Sequence, residues 1–175
     1  MTARTSLILG GARSGKTARA LALAEQAYAQ DGLVPIYIAT AQAFDGEMED
    51  RIARHRQERG THWSTVEAPL DLCDAIREWT SPRHVLLIDC LTLWLSNVTF
   101  AERDIAEESQ QLVDALRAAS GPVIVVSNEV GLSIVPENAL ARRFRDDQGR
   151  LNQTIAAAVD HVEFVAAGLP LVLKG

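Results

Sequence analysis

Positive charge is in short supply in this 175-residue chain: 17 Lys and Arg stand against 23 Asp and Glu, for a formal net charge of −6 and an isoelectric point near 5.2. Phosphate backbones and anionic membrane surfaces reward net positive surface, so general binding to nucleic acid or to a membrane surface is not expected. Basic residues should instead gather where an anionic ligand sits. Cysteine is scarce too. The two thiols, Cys73 and Cys90, fall in segments that read as buried helix and strand, which suits a reduced pair and no disulfide framework. No metal-ligand spacing is present and no apolar run reaches membrane-spanning length. The few residues before the first predicted strand leave no room for a signal peptide, so a cytoplasmic location is expected. Repeats, linkers and low-complexity tracts are also missing. Residues 1–175 are therefore expected to form a single domain, long enough to bury roughly two thirds of its unfolded surface.

What is present begins with Gly10-Gly11-Ala12-Arg13-Ser14-Gly15-Lys16-Thr17, preceded by the apolar run Ser6-Leu7-Ile8-Leu9 and followed by an Ala/Leu-rich helical stretch to Gln30. A glycine, any four residues and then Gly-Lys-Thr, between a strand and a helix, is the pattern of a phosphate cradle. Glycines let the backbone curl so that successive N–H groups face oxygen anions, and the following helix adds the positive end of its dipole. In such a loop Lys16 reaches the β- and γ-phosphates of a nucleotide and the Thr17 hydroxyl ligates Mg²⁺.

Strands and helices alternate along the rest of the chain. Strands are predicted over 33–40, 63–67, 84–89 and 123–127, and a closing pair over 162–166 and 169–173. Helices are predicted over 46–59, 70–79, 90–97, 105–119 and 138–159, the last with an interruption near Gly149. The fold class expected is α/β: a P-loop (RecA-like), mostly parallel sheet with helices on both faces, a C-terminal strand hairpin, and a nucleotide at the carboxyl ends of the strands.

Further residues could carry chemistry. Asp89 closes an apolar strand, where an acid can hold Mg²⁺ or simply cap the next helix. His55 lies on the predicted 46–59 helix, on one face with Arg51 and Arg59 and flanked by Arg54 and Arg56. Those arginines would gather phosphate oxygens and keep a ring nitrogen free to attack phosphorus, or would merely complement the helix dipole. Glu67 could accept from a base or ribose, or be solvated; Asn128-Glu129 should share the rim of the phosphate loop. His62, His84 and His161 stand at strand beginnings and read as structural. Arg142, Arg143, Arg145 and Arg150 form a second basic group, with helix-surface charge as the simpler account.

Several blocks together resemble one family, the bifunctional adenosylcobinamide kinase / adenosylcobinamide-phosphate guanylyltransferases of cobalamin biosynthesis. They are Gly10 to Thr17, Tyr37 to Thr40, Glu47-Met48 with Arg51-Ile52 and His55-Arg56, and His62-Trp63. Asn128 to Gly131, Ile134 to Asn138, Leu140 to Arg142, Phe144 to Asp146 and Gly149 to Gln153 follow in the family's order. The resemblance implies phosphate transfer from ATP or GTP to the aminopropanol hydroxyl of the corrinoid adenosylcobinamide. It also implies GMP transfer from GTP through a GMP–histidine at His55. Nucleotide contacts carry over to residues 10–17, to Ala39, Thr40 and Ala41, to Arg56, Gln57, Glu58 and Arg59, and to Glu67 and Asp89. Mg²⁺ would be held by Thr17 and Asp89, and a homotrimer is implied. Two positions depart from the family's pattern: Asp89 where some relatives carry Glu, and Ser133 where its post-strand loop has glycine. One nucleotide site can serve both reactions, since they differ in which phosphorus meets a nucleophile, and the helix bearing His55 would have to move between them.

Two other readings stay open from the residues. One is a single-function P-loop kinase of a small metabolite. The other is a nucleotide-dependent switch or motor. Asp89 is followed by Cys90-Leu91-Thr92 rather than two residues and glycine, and no Asn-Lys-x-Asp motif occurs, which argues against a GTPase switch.

Overall fold

The computed structural model describes residues 4–42 and 60–175. The predicted helix over 46–59, with His55 and its arginines, lies outside them. The described chain runs β1 (Thr5–Gly10), α1 (Lys16–Asp31), β2 (Val34–Ala39), β3 (Ser64–Glu67), α2 (Leu72–Trp79), β4 (His84–Asp89), α3 (Leu91–Phe100), α4 (Ile105–Ala118), β5 (Val123–Asn128), α5 (Ala139–Ala158), β6 (His161–Ala166) and β7 (Leu169–Lys174). The strands form one seven-stranded sheet in the order β3-β2-β4-β5-β1-β6-β7. Every pairing is parallel except β6 with β7, the expected terminal hairpin.

The central strands are apolar throughout because both faces are covered. Leu7, Ile36, Ile38, Leu86, Ile88, Val123 and Val125 point into one core with side chains of α2 to α5, around the fully buried Trp94. Their alternate neighbours Ile8, Tyr37, Val85, Leu87, Ile124 and Val126 meet α1. There Ala20, Ala24 and Ala27 form a small-residue stripe that lets the helix lie close to the sheet. Among the described residues, four helices thus cover one face and α1 the other.

The expected break at Gly149 is not found. α5 is continuous from Ala139 to Ala158. A mid-helix glycine costs only about 1 kcal/mol, and the buried Gln148, Leu151 and Ile155 anchor the helix on either side. α3 is also longer than predicted and reaches Phe100. Ser133 is not among the residues with left-handed backbone, so the loop there needs no glycine.

β1 lies between β5 and β6 and leads to β2 on the far side of β4. This change of direction opens a crevice at the carboxyl ends of the strands, where ligands of open α/β sheets bind. Gly10, Ala39, Glu67, Asp89 and Asn128 all end strands on that rim.

Candidate nucleotide site

The residue-10–17 loop joins β1 to α1 at the centre of the rim. Its shape demands glycine at two places. A Cβ on Gly10 would collide with Ser14 Oγ and stand 2.6 Å from the Val165 carbonyl oxygen. Gly15 adopts φ 97°, and a Cβ there would lie 3.0 Å from Gly168 Cα. The turn of the β6–β7 hairpin supports the loop from behind, with the Gly168 N–H donating to the Ser14 carbonyl at 2.8 Å. On the other side the Glu129 N–H donates to the Gly10 carbonyl at 3.0 Å. Lys16 bends back over the loop, its Nζ 3.0 Å from the Gly11 carbonyl oxygen. The ammonium and the first turn of a 16-residue helix therefore face the same small region, a setting that favours anions.

α1 is tied down by charge as well as by alanines. Arg19 donates through Nε and Nη2 to the two carboxylate oxygens of Glu163 on β6, at 2.8 and 2.7 Å. Glu163 is 2% exposed and also contacts His161 Nε2 at 3.1 Å. The Arg19 hydrogen bonds, more than burial can oppose, hold the Glu163 carboxyl below its ordinary range, and the pairing raises Arg19 further.

Asp89 is half-buried at the end of β4, and its Oδ2 accepts from the Tyr37 hydroxyl at 3.0 Å. It does not cap α3; the residue at that N-cap is Cys90. Ala39 pairs in register with Glu67 on one side and Asp89 on the other. From β3 to β1 the rim crosses four strand spacings, about 19 Å at ~4.8 Å each. Glu67, exposed at the far end, is thus out of reach of anything held on the loop except the other end of a long ligand.

Thr40 is placed differently from a ligand-contacting residue. It is fully buried, its Oγ1 donates to the Cys90 carbonyl and accepts from the Cys90 N–H, both at 2.8 Å, and its carbonyl accepts from Asn97 Nδ2. Its hydroxyl clamps the end of β2 to the turn after β4, which leaves Ala39 and Ala41 as the positions of that stretch beside the rim. Both thiols are buried and unpaired by disulfide, and burial pushes Cys73 up to about 11.

The rim thus carries residues 10–17 and Asp89 near its centre, Ala39 and Ala41 beside them and Glu67 at the far end, with Thr40 buried beneath it, while His55, Arg56, Gln57, Glu58 and Arg59 lie outside the described residues. The three histidines read as structural have protein partners: His62 stacks on Tyr28 with ring centroids 4.4 Å apart and contacts Glu25, His84 contacts the Trp79 carbonyl, and His161 contacts Glu163. Sequence reasoning missed the supports of the site. Tyr37, a hydroxyl in an otherwise apolar strand, was a signal; Glu163 and Gly168 gave none that could be tied to the loop. Among the described residues, no cluster of three His, Cys, Asp or Glu could hold a metal, and no helix is long and apolar enough to cross a membrane.

Comparison with known proteins covers almost the whole chain. Residues 6–173 match the family described as cobinamide kinase / cobinamide phosphate guanyltransferase. The bifunctional adenosylcobalamin biosynthesis protein CobP of Pseudomonas aeruginosa is 48% identical over 171 residues, 97% of this chain and 96% of that one. The bifunctional adenosylcobalamin biosynthesis proteins CobU of Escherichia coli and Salmonella typhimurium are each 40% identical over 183 residues, 96% of this chain and 98% of theirs. With a phosphate cradle set in a mostly parallel sheet and a match of this extent, the chain belongs to the cobinamide kinase / cobinamide phosphate guanyltransferase family.

Proposed function

We propose that this chain carries both reactions of its family on one nucleotide site: phosphate transfer to adenosylcobinamide, and GMP transfer to the product through a GMP–histidine at His55. The observation that carries the reading is the phosphate loop, with Lys16 folded over its mouth and Asp89 two strands away on the same rim. In the first reaction the aminopropanol hydroxyl oxygen bonds to the γ-phosphorus of ATP or GTP as the bond to the β-phosphate oxygen breaks. In the second, a ring nitrogen of His55 displaces pyrophosphate from the α-phosphorus of GTP, and a phosphate oxygen of the phosphorylated corrinoid then displaces the histidine. Lys16 and the backbone N–H groups of residues 10–17 stabilise the phosphates in both. Ala39, Ala41, Glu67 and the 56–59 stretch are assigned to the nucleoside end, and Thr40 to the clamp that shapes it.

Mg²⁺ fits the donor set, a Thr17 hydroxyl and an Asp89 carboxylate, since it takes hard oxygen ligands. When bound it neutralises charge on the phosphates. Tyr37 orients the carboxylate for that task. The remaining assignments are a single domain over 1–175, a homotrimer, a cytoplasmic location, adenosylcobinamide and its phosphate as the corrinoid substrates, and no nucleic acid.

Incubation with α-labelled GTP tests the transferase. Label that is acid-labile and base-stable on the parent chain and missing from His55→Ala is the expected result. Phosphorylation of the corrinoid without any label on the parent reduces the protein to a single-function kinase.

A further inference from the structure

Behind the centre of the rim lies a chain of uncharged polar side chains with a fixed direction. Gln148 Nε2 donates to Ser127 Oγ and to Asn152 Oδ1, both at 3.0 Å, and Ser127 Oγ donates to the same Asn152 oxygen at 2.7 Å. With two donors on its oxygen, the Asn152 amide must turn its Nδ2 the other way, and that group donates to the Asn128 carbonyl at 3.0 Å. From the opposite side, Thr92 Oγ1 accepts from the Asn128 N–H at 3.0 Å. Ser127, Gln148 and Asn152 are all buried, so each of these groups gave up water to make its bonds. Their common product is a pinned backbone at Asn128.

The Asn128 side chain itself is barely used. It is half-buried and makes one weak contact, Nδ2 to Cys90 Sγ at 3.9 Å. Its place on the rim is central. β5 lies between the strand of the phosphate loop and the strand of Asp89, and Asn128 pairs in register with Gly10. Lys16 Nζ rests on the carbonyl of the next residue, Gly11, so Asn128 stands at the end of the loop that receives the outer phosphates. A merely solvated strand end would not require a backbone held from two helices.

We propose that the Asn128 side-chain amide donates a hydrogen bond to the outermost phosphate of the bound nucleoside triphosphate, with Asn152, Gln148 and Ser127 as positioning residues that aim it. The proposal rests on the nucleotide reading above. It makes Asn128 matter more to γ-phosphate transfer than to attack at the α-phosphorus.

The test measures phosphate transfer from ATP to adenosylcobinamide and covalent labelling by α-labelled GTP on the same preparations. Asn128→Ala is expected to lower kcat for phosphate transfer about 100-fold, the usual cost of losing one transition-state donor, while labelling falls by less than about tenfold. Asn128→Asp keeps the volume and the backbone bonds but sets a carboxylate against the phosphate, so it is expected to be at least as inactive as Asn128→Ala, with a raised KM for ATP. Asn152→Ala is expected to reproduce the kcat loss in part without touching the nucleotide, and Asn152→Asp, which keeps the acceptor but sets an oxygen against the Asn128 carbonyl where the Nδ2 donor stood, to lose at least as much. An active parent with Asn128→Ala within threefold of its kcat, or with Asn128→Asp more active than Asn128→Ala, overturns the proposal alone. A parent that neither transfers phosphate nor takes label overturns the nucleotide reading and the proposal with it.

Discussion

Replacing Glu163 by glutamine removes the charge that holds α1 to β6 while preserving shape. In the parent, the carboxylate accepts two hydrogen bonds from Arg19 at 2.7 and 2.8 Å and one contact from His161 at 3.1 Å, and its side chain is 3% exposed. Breaking a fully buried ion pair costs about 3–5 kcal/mol. The Arg19 side chain is 33% exposed and recovers part of its hydration, so about 2 kcal/mol is the expected loss. For a chain of this length that lowers Tm by about 4–8 °C. The pH dependence supplies a second check. Because the folded state depresses the Glu163 carboxyl below its unfolded value, its contribution is complete above the unfolded pKa of about 4.3 and disappears as pH falls through the lower folded value. Circular-dichroism melts of parent and Glu163→Gln should therefore differ by a constant gap from neutral pH down to about pH 5, closing in stronger acid. Equal melting temperatures at pH 7, or a gap that survives unchanged in strong acid, refute the reasoning.

Two more perturbations follow from the rim. Thr40→Val deletes the hydroxyl that both donates to the Cys90 carbonyl and accepts from its N–H; stranding two buried backbone groups should cost about 2 kcal/mol, and an unchanged thermal melt would argue against the clamp. Tyr37→Phe removes the donor to Asp89 Oδ2 and should raise the Mg²⁺ concentration for half-maximal phosphate transfer about tenfold, whereas an unchanged Mg²⁺ titration would detach Asp89 from the metal.

The phosphate loop and the alternation of strands and helices were legible because both are local. Glycine spacing announces a cradle, and continuous apolar runs such as Val85 to Ile88 announce strands covered on both sides. The failures share a different cause. Glu163 sits in the strand His-Val-Glu-Phe-Val-Ala, where an acid between apolar residues reads as a solvent-facing position. It is buried because Arg19, 144 residues earlier, lies across from it, and no window of sequence contains both. Gly149 carries a local breaking signal that the packing of its neighbours outweighs. Thr40 looks like a polar contact in a strand-end motif, and only the arrival of Cys90, just past the end of the adjacent strand, reveals its hydroxyl as occupied. His55 remains a reading of sequence and kinship.

The position of β1 has a consequence for how the protein comes into being. The cradle is made well before the segments that finish it: its strand is completed only by β5 and β6, and Ser14 finds its partner only at Gly168. During synthesis the cradle must wait for the chain through Gly168 to emerge, and such distant closures fold slowly. Nucleotide capture is thereby coupled to completion: a nascent or prematurely terminated polypeptide carries the whole motif and still has no finished receptacle.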